Sequence, residues 1–278
     1  MTFAALRGHS ANLVGVPTGL LASAAFNDSP LTLRIRGVHE SHARLFERLA
    51  TAGSQAEAGQ LFQDYMDNTF GLRRPNAEPG GVRRYRASYL RLLNGWGYDA
   101  SSREGAVVKG WVESRFGLFP TFHKTPLARF TSPAWSRYVE DKLSSRFHNN
   151  AITTQLDLLY EFSQWSLARW LRPGQRHLTL YRGVNDFREI SLFGRAHPLR
   201  TGPSTSLRTG PALVRLNNVS SFTARRDIAG EFGDTLIEAK VPTVKILFCN
   251  DLLPRPVLRG EAEYLVIGGD YRVTVSCF

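Results

Sequence analysis

The stretch Arg259-Gly260-Glu261-Ala262-Glu263-Tyr264-Leu265-Val266-Ile267 decides how the chain reads. Its second half is an aromatic and aliphatic run with the composition of a buried strand. Its first half carries two carboxylates at i and i+2. Strand side chains alternate faces, so on a continuous strand Glu261 and Glu263 point the same way, about 6–7 Å apart. Like charges that close repel, and a cation or a reacting group that becomes positive between them relieves the repulsion.

Outward from this stretch the rest of residues 176–278 reads as strands. Leu178–Gly183, Asn217–Thr223, Leu236–Val241, Val244–Phe248, Glu263–Ile267 and Tyr271–Cys277 are short and β-rich, with Gly, Pro and Asp between them. Ala224–Phe232 fits a short helix. Residues 1–175 read as mostly helical, after a short strand expected at Leu31–Val38. Helical spacing recurs around Leu45 and Leu49, Leu61 and Tyr65, and Tyr89 to Leu93, the last ending near Asn94-Gly95. Ala134–Phe147 is amphipathic. Ile152–Leu171 is apolar almost all round, the pattern of a buried helix, and Pro173-Gly174 stops it. Helices followed by strands, with no regular βαβ alternation, predict an α+β fold. The expected division is a helical region at 1–175 and a β-rich core at 176–278.

The 278 residues are 42% hydrophobic, enough to bury a sizeable core. The net charge is +11. The basic excess lies mainly in residues 1–177, with 22 Lys/Arg against 14 Asp/Glu, and no basic run exceeds three residues. A dispersed excess suits an acidic partner better than a nucleic-acid tail, so no nucleic-acid partner is expected. Cys249 and Cys277 lack CxxC spacing and make no secreted disulfide framework, which fits a cytoplasmic protein. The apolar stretch Val14–Phe26 is interrupted by Pro17 and Thr18 and is too short for a membrane span. Asn218-Val219-Ser220 is a glycosylation sequon without meaning in the cytoplasm. His39 and His42 could meet on a helix face, but no third ligand accompanies them, so no metal is expected. Neither a GxGxxG nor a Walker A pattern occurs.

Three further elements carry chemistry only in combination. Arg182 closes a strand and is followed by Gly183, which lets backbone approach a ligand closely. Ser220-Ser221-Phe222-Thr223 is a polar strand segment. Glu261-x-Glu263 lies on a late strand. Each alone reads as an ordinary strand-end feature. Together and in this order they resemble the arginine–serine–glutamate group of mono-ADP-ribosyltransferases. Tyr181-Arg182-Gly183 is similar to that group's aromatic-Arg element. Ser221-Phe222-Thr223 is similar to its Ser-Thr-Ser element, with Phe in the centre. Glu261-Ala262-Glu263-Tyr264-Leu265 is similar to the bi-glutamate element of the arginine-modifying branch. Over nearly the whole chain, Gly8–Thr18, Phe26-Asn27-Asp28 and Leu180–Phe187 resemble the dinitrogenase reductase ADP-ribosyltransferase family.

The resemblance implies a core of two packed β-sheets around an NAD cleft, with NAD as substrate. The carboxylate of Glu263 would stabilise the oxocarbenium-like ribose as the nicotinamide bond breaks, and hold a ribose hydroxyl. Ser221 would orient Glu263; Ser220 is the alternative, and Ser221 gives the Ser-x-Thr spacing. Arg182 would pair with the pyrophosphate. Gly183 would let backbone groups hold the nicotinamide amide, and Phe222 or Phe232 would pack on its ring. Glu261 would align the acceptor guanidinium and take its proton. The resemblance further implies dinitrogenase reductase, the nitrogenase iron protein, as protein substrate, and a PII-type signalling protein as regulator. The readings set against this are a toxin-like arginine transferase or NAD glycohydrolase with another target, and a basic nucleic-acid-binding or scaffold module on a dead fold.

Overall fold

A computed structural model describes residues 8–72, 88–144, 150–185, 210–260 and 262–277. Among them nine α-helices precede residue 172. They are α1 (Thr18–Leu21), α2 (Ala24–Asp28), α3 (Val38–Ser41), α4 (Ala43–Ala50), α5 (Gln55–Phe70), α6 (Tyr89–Tyr98), α7 (Arg103–Phe116), α8 (Pro133–Lys142) and α9 (Asn150–Ser166). A π-helical turn, Leu167–Leu171, extends α9. Serines start five of them, Ser23 before α2 by accepting from the Phe26 N–H. Ser54, Ser88, Ser102 and Ser132 likewise each accept a backbone N–H three residues on, which satisfies an end donor of the helix. Two short strands, β1 (Phe122–His123) and β2 (Thr125–Pro126), form a small hairpin.

The β-rich part holds β3 (His177–Val184), β4 (Gly210–Thr223), α10 (Arg226–Gly230), β5 (Thr235–Pro242), β6 (Ile246–Cys249) and β7 (Glu263–Cys277). All their pairings are antiparallel. β4 runs along one side of β7 from Gly210 opposite Val275 to Thr223 opposite Glu263. The other side of β7 is divided. β6 pairs with residues 264–266 and β5 with 273–277. β3 pairs along β5 and touches β4 at one position, Tyr181 opposite Thr223. The fold is thus α+β with an antiparallel sheet.

Several local expectations need correction. Leu31–Val38 makes no strand. Leu33 and Ile35 alternate inward, but the segment pairs with Glu161 instead of a strand: the Ile35 N–H donates to Glu161 Oε1 at 2.6 Å. Alternation reports burial, and a ladder needs a partner strand as well. α6 runs past Asn94-Gly95 to Tyr98. A Cβ on Gly95 would meet Glu104 Cβ at 2.5 Å, so this glycine serves close packing of α6 on α7. Glu263–Ile267 and Tyr271–Cys277 are one strand, bent at Gly268-Gly269, where Gly269 takes φ +118°. α8 ends at Lys142, and residues 145–149 lie outside the described residues.

One continuous core joins the two parts of the chain. Leu156, Leu159 and Phe162 of α9, Phe248 of β6 and Leu265 to Ile267 of β7 are all fully enclosed in it. Polar ties reinforce the contact. Asn218 Nδ2 donates to the backbone carbonyls of Lys109 and Leu118, at 2.9 and 3.0 Å. Lys245 Nζ donates to those of Leu21 and Gly268, at 2.8 and 3.1 Å. No described helix is long and apolar enough to cross a membrane.

Candidate active site

The site grows from one row of the sheet. Tyr181, Thr223 and Glu263 stand opposite one another on β3, β4 and β7. Arg182 is one residue beyond Tyr181. Its Nη1 donates to the backbone carbonyl of Ser221 at 2.7 Å. The residue keeps part of its surface in contact with solvent, while its guanidinium lies deep in the protein. Burial lowers the guanidinium pKa, and the negative charge of Glu263 opposes that shift. Among the described residues no carboxylate lies within ion-pair distance of Arg182. A guanidinium carries five donors, so several remain for an anion such as a phosphate.

Register decides which serine shares the face of Glu263. Ser221 and Thr223 are two residues apart, and Thr223 is opposite Glu263, so the three side chains lie on one face. Ser220 falls on the other face, and its hydroxyl turns to the Asn217 carbonyl at 3.4 Å. Ser221 Oγ accepts from the Trp96 indole Nε1 at 2.9 Å. Glu263 Oε2 accepts from the Gly260 N–H at 3.0 Å, which anchors the carboxylate at the start of β7.

Of the two acids only Glu263 falls among the described residues. β7 begins at Glu263, and Ala262 before it has φ +47°, the left-handed region that non-glycine residues rarely adopt. The chain therefore turns at Ala262, immediately before the strand. Glu261 itself lies outside the described residues.

The two aromatic candidates separate sharply. Phe222 is 2% exposed and belongs to the core. Phe232 is 63% exposed and follows α10. A Cβ on Gly183 would lie 3.1 Å from the Phe232 carbonyl carbon and 2.1 Å from the Ala229 carbonyl oxygen. Gly183 is therefore required for α10 and the turn after it to close on the end of β3, and this packing sets Phe232 beside the site.

Helix α6 supplies a wall that sequence reasoning missed. Besides Trp96, Tyr98 is stacked by the Arg259 guanidinium, whose carbon is 3.3 Å from the ring centroid. The Asn94-Gly95-Trp96-Gly97-Tyr98 segment has no periodicity that points at β4; only its paired aromatics flanked by glycines stand out. A cavity of about 500 Å³ lined by His9, Trp111, Glu113 and Lys142 among others shares no lining residue with this site. His39 and His42 are engaged elsewhere. His39 Nε2 is 2.9 Å from Glu161 Oε2, and His42 Nδ1 is 2.9 Å from the Tyr65 hydroxyl.

Comparison with known proteins identifies the family. No solved structure matches the chain. The NAD(+)--dinitrogen-reductase ADP-D-ribosyltransferase of Rhodospirillum rubrum is 53% identical over 275 residues, covering 97% of this chain and 95% of the relative. The family described as dinitrogenase reductase ADP-ribosyltransferase matches residues 11–275, and the chain belongs to that family.

Proposed function

We propose that the protein transfers ADP-ribose from NAD to an arginine of dinitrogenase reductase, inactivating it and so regulating nitrogen fixation. The observation that carries this reading is the convergence of Arg182, Ser221 and Glu263 on one end of the sheet, in a chain so similar to the Rhodospirillum rubrum transferase. A deep but reachable guanidinium suits the floor of a dinucleotide cleft. The two-sheet arrangement around that cleft rests on the family resemblance; β3 to β7 themselves pair as one five-stranded antiparallel sheet.

In this reading Arg182 holds the pyrophosphate and Phe232 covers the nicotinamide ring. Backbone groups at Gly183 hold the amide. The bond between nicotinamide nitrogen and ribose C1′ breaks, and its electron pair leaves with nicotinamide. The Glu263 carboxylate faces the positive charge that develops on the ribose. Ser221 orients that carboxylate. An acceptor guanidinium nitrogen then bonds to C1′ and gives its proton to Glu261, which restores its nucleophilicity. The two acids thus serve two different cations, one on each side.

The helical region, residues 1–175, supplies docking and regulation, supported by the α6 aromatics beside the turn that bears Glu263. Control by a PII-type protein in the cytoplasm rests on the family resemblance. Purified protein incubated with labelled NAD and dinitrogenase reductase tests the whole reading. Label on one arginine of the iron protein, with loss of its activity, is expected. Label absent from the iron protein but present on another protein would redirect the substrate assignment.

A further inference from the structure

Trp96 comes from the helical region, is 4% exposed, and reaches Ser221 across 125 residues of sequence. An indole N–H only donates. By binding Ser221 Oγ at 2.9 Å it occupies a lone pair of that oxygen. The hydroxyl proton is then directed to an acceptor on another side. Ser221 is opposite Leu265, two residues from Glu263 on the same face, so Glu263 is its diagonal neighbour. That carboxylate takes one bond from the Gly260 N–H and, with about four acceptor positions, has room for more.

The indole is itself held. The Lys109 ammonium lies 5.8 Å from the Trp96 ring centroid and is anchored to the Phe122 carbonyl at 3.0 Å. Asn218, three residues before Ser221, donates to the Lys109 carbonyl at 2.9 Å. The donor and the serine it serves therefore sit in one braced unit of α6, α7 and β4. Packing alone would be satisfied by any large ring at position 96. The directed N–H is what an ordinary core aromatic does not supply.

We infer that Trp96 is a positioning residue of the transfer reaction: its N–H fixes the polarity of the Ser221 hydroxyl, so that Ser221 is set to donate to Glu263 and orient its carboxylate. This rests on the reading of Glu263 and Ser221 given above. It also gives the helical region a direct mechanical hold on the reacting end of the sheet, because a shift of α6 withdraws the indole from Ser221.

Trp96→Phe keeps the ring and removes the N–H. The measurement is kcat and KM for NAD hydrolysis in the wild type, Trp96→Phe, Ser221→Ala and the double variant, each normalised to its folded fraction. Trp96→Phe is expected to lower kcat about three- to tenfold, the effect of one ordinary hydrogen bond, with KM for NAD unchanged. Ser221→Ala is expected to lower kcat as well, and the double variant to fall no lower than Ser221→Ala alone. A wild-type kcat in Trp96→Phe overturns the inference. So does a Trp96→Phe loss that persists undiminished in the Ser221→Ala background, or one that appears in KM and not in kcat. A Ser221→Ala enzyme with wild-type kcat overturns the reading of the site itself.

Discussion

The Arg182 guanidinium donates to the backbone carbonyl of Ser221 across 2.7 Å, at the place where β3 touches β4. This bond ties the anion-binding group to the strand that carries the orienting serine. The same strand pairs residue by residue with β7, so its far side delivers Glu263. Three positions separated by up to 81 residues of sequence are thereby held within one corner of the sheet.

Glu263→Gln is expected to reduce both ADP-ribose transfer and NAD hydrolysis about a hundred- to a thousandfold, the usual effect of losing one preorganised charge-stabilising group. The amide oxygen can still accept from the Gly260 N–H, so stability should change little. Glu261→Gln should lose transfer to arginine and keep NAD hydrolysis. Nicotinamide release and labelling of the iron protein, followed side by side, separate the two. Equal loss of both activities in Glu261→Gln removes its acceptor role.

Phe232→Ala and Phe222→Ala should behave as opposites. Phe232 is 63% exposed, so its removal should leave stability nearly intact and raise KM for NAD about tenfold, through lost stacking. Phe222 is a core residue at 2% exposure, and its truncation should cost about 3–5 kcal/mol of stability. Denaturant titration with NAD kinetics on both variants checks this. A normal KM in Phe232→Ala would rule out ring stacking there.

Gly183→Ala adds a methyl group 2.1 Å from the Ala229 carbonyl oxygen and 3.0 Å from the Gly233 nitrogen. Both contacts are with backbone, so α10 and its following turn must move. The expected cost is about 1–3 kcal/mol in stability, together with loss of NAD turnover as Phe232 is displaced. A fully stable, active Gly183→Ala enzyme would show that this turn yields without consequence.

Lys245 makes stability depend on pH. Burial pushes its ammonium down to about 7, from 10.5, with Asp270 opposing the shift. Between those values the unfolded chain binds a proton that the folded protein does not. Stability therefore rises with pH above about 7, by up to about 1.4 kcal/mol per unit. Cys249, whose thiol burial pushes up from 9 to about 12, works in the opposite sense above pH 9. Lys109, lowered by burial to about 8, adds to the rise in the upper part of the remaining window. Urea unfolding of the wild type and Lys245→Met at pH 7, 8 and 9 should give a rising series that flattens in the variant. Identical slopes would mean that the lysine does not titrate as its surroundings dictate.

Much of this was legible in the residues alone. The β-rich third, the helical character of the rest and the Arg182, Ser221 and Glu263 constellation follow from alternation, helical spacing and motif order. Those signals are local, and local signals survive folding when burial agrees with them. Failures came where two elements meet. Leu33 and Ile35 alternate like a strand yet find Glu161 in place of a β partner. Gly95 reads as a helix stop and is an interhelical contact. Gly268-Gly269 reads as a break between strands and is a bend within one.

The sequence by itself determined which chemical groups are present and in what order: a guanidinium, a hydroxyl and two acids on successive strand-like segments. Tertiary structure decided which of them share a face. It set Ser221 with Glu263 and turned Ser220 away, because antiparallel register counts in steps of two. It buried Phe222 and exposed Phe232. It brought the Trp96 indole to Ser221 from a helix far back in the chain. No spacing rule encodes that contact, since it depends on how a helix packs against a sheet, and packing is settled by the whole core at once.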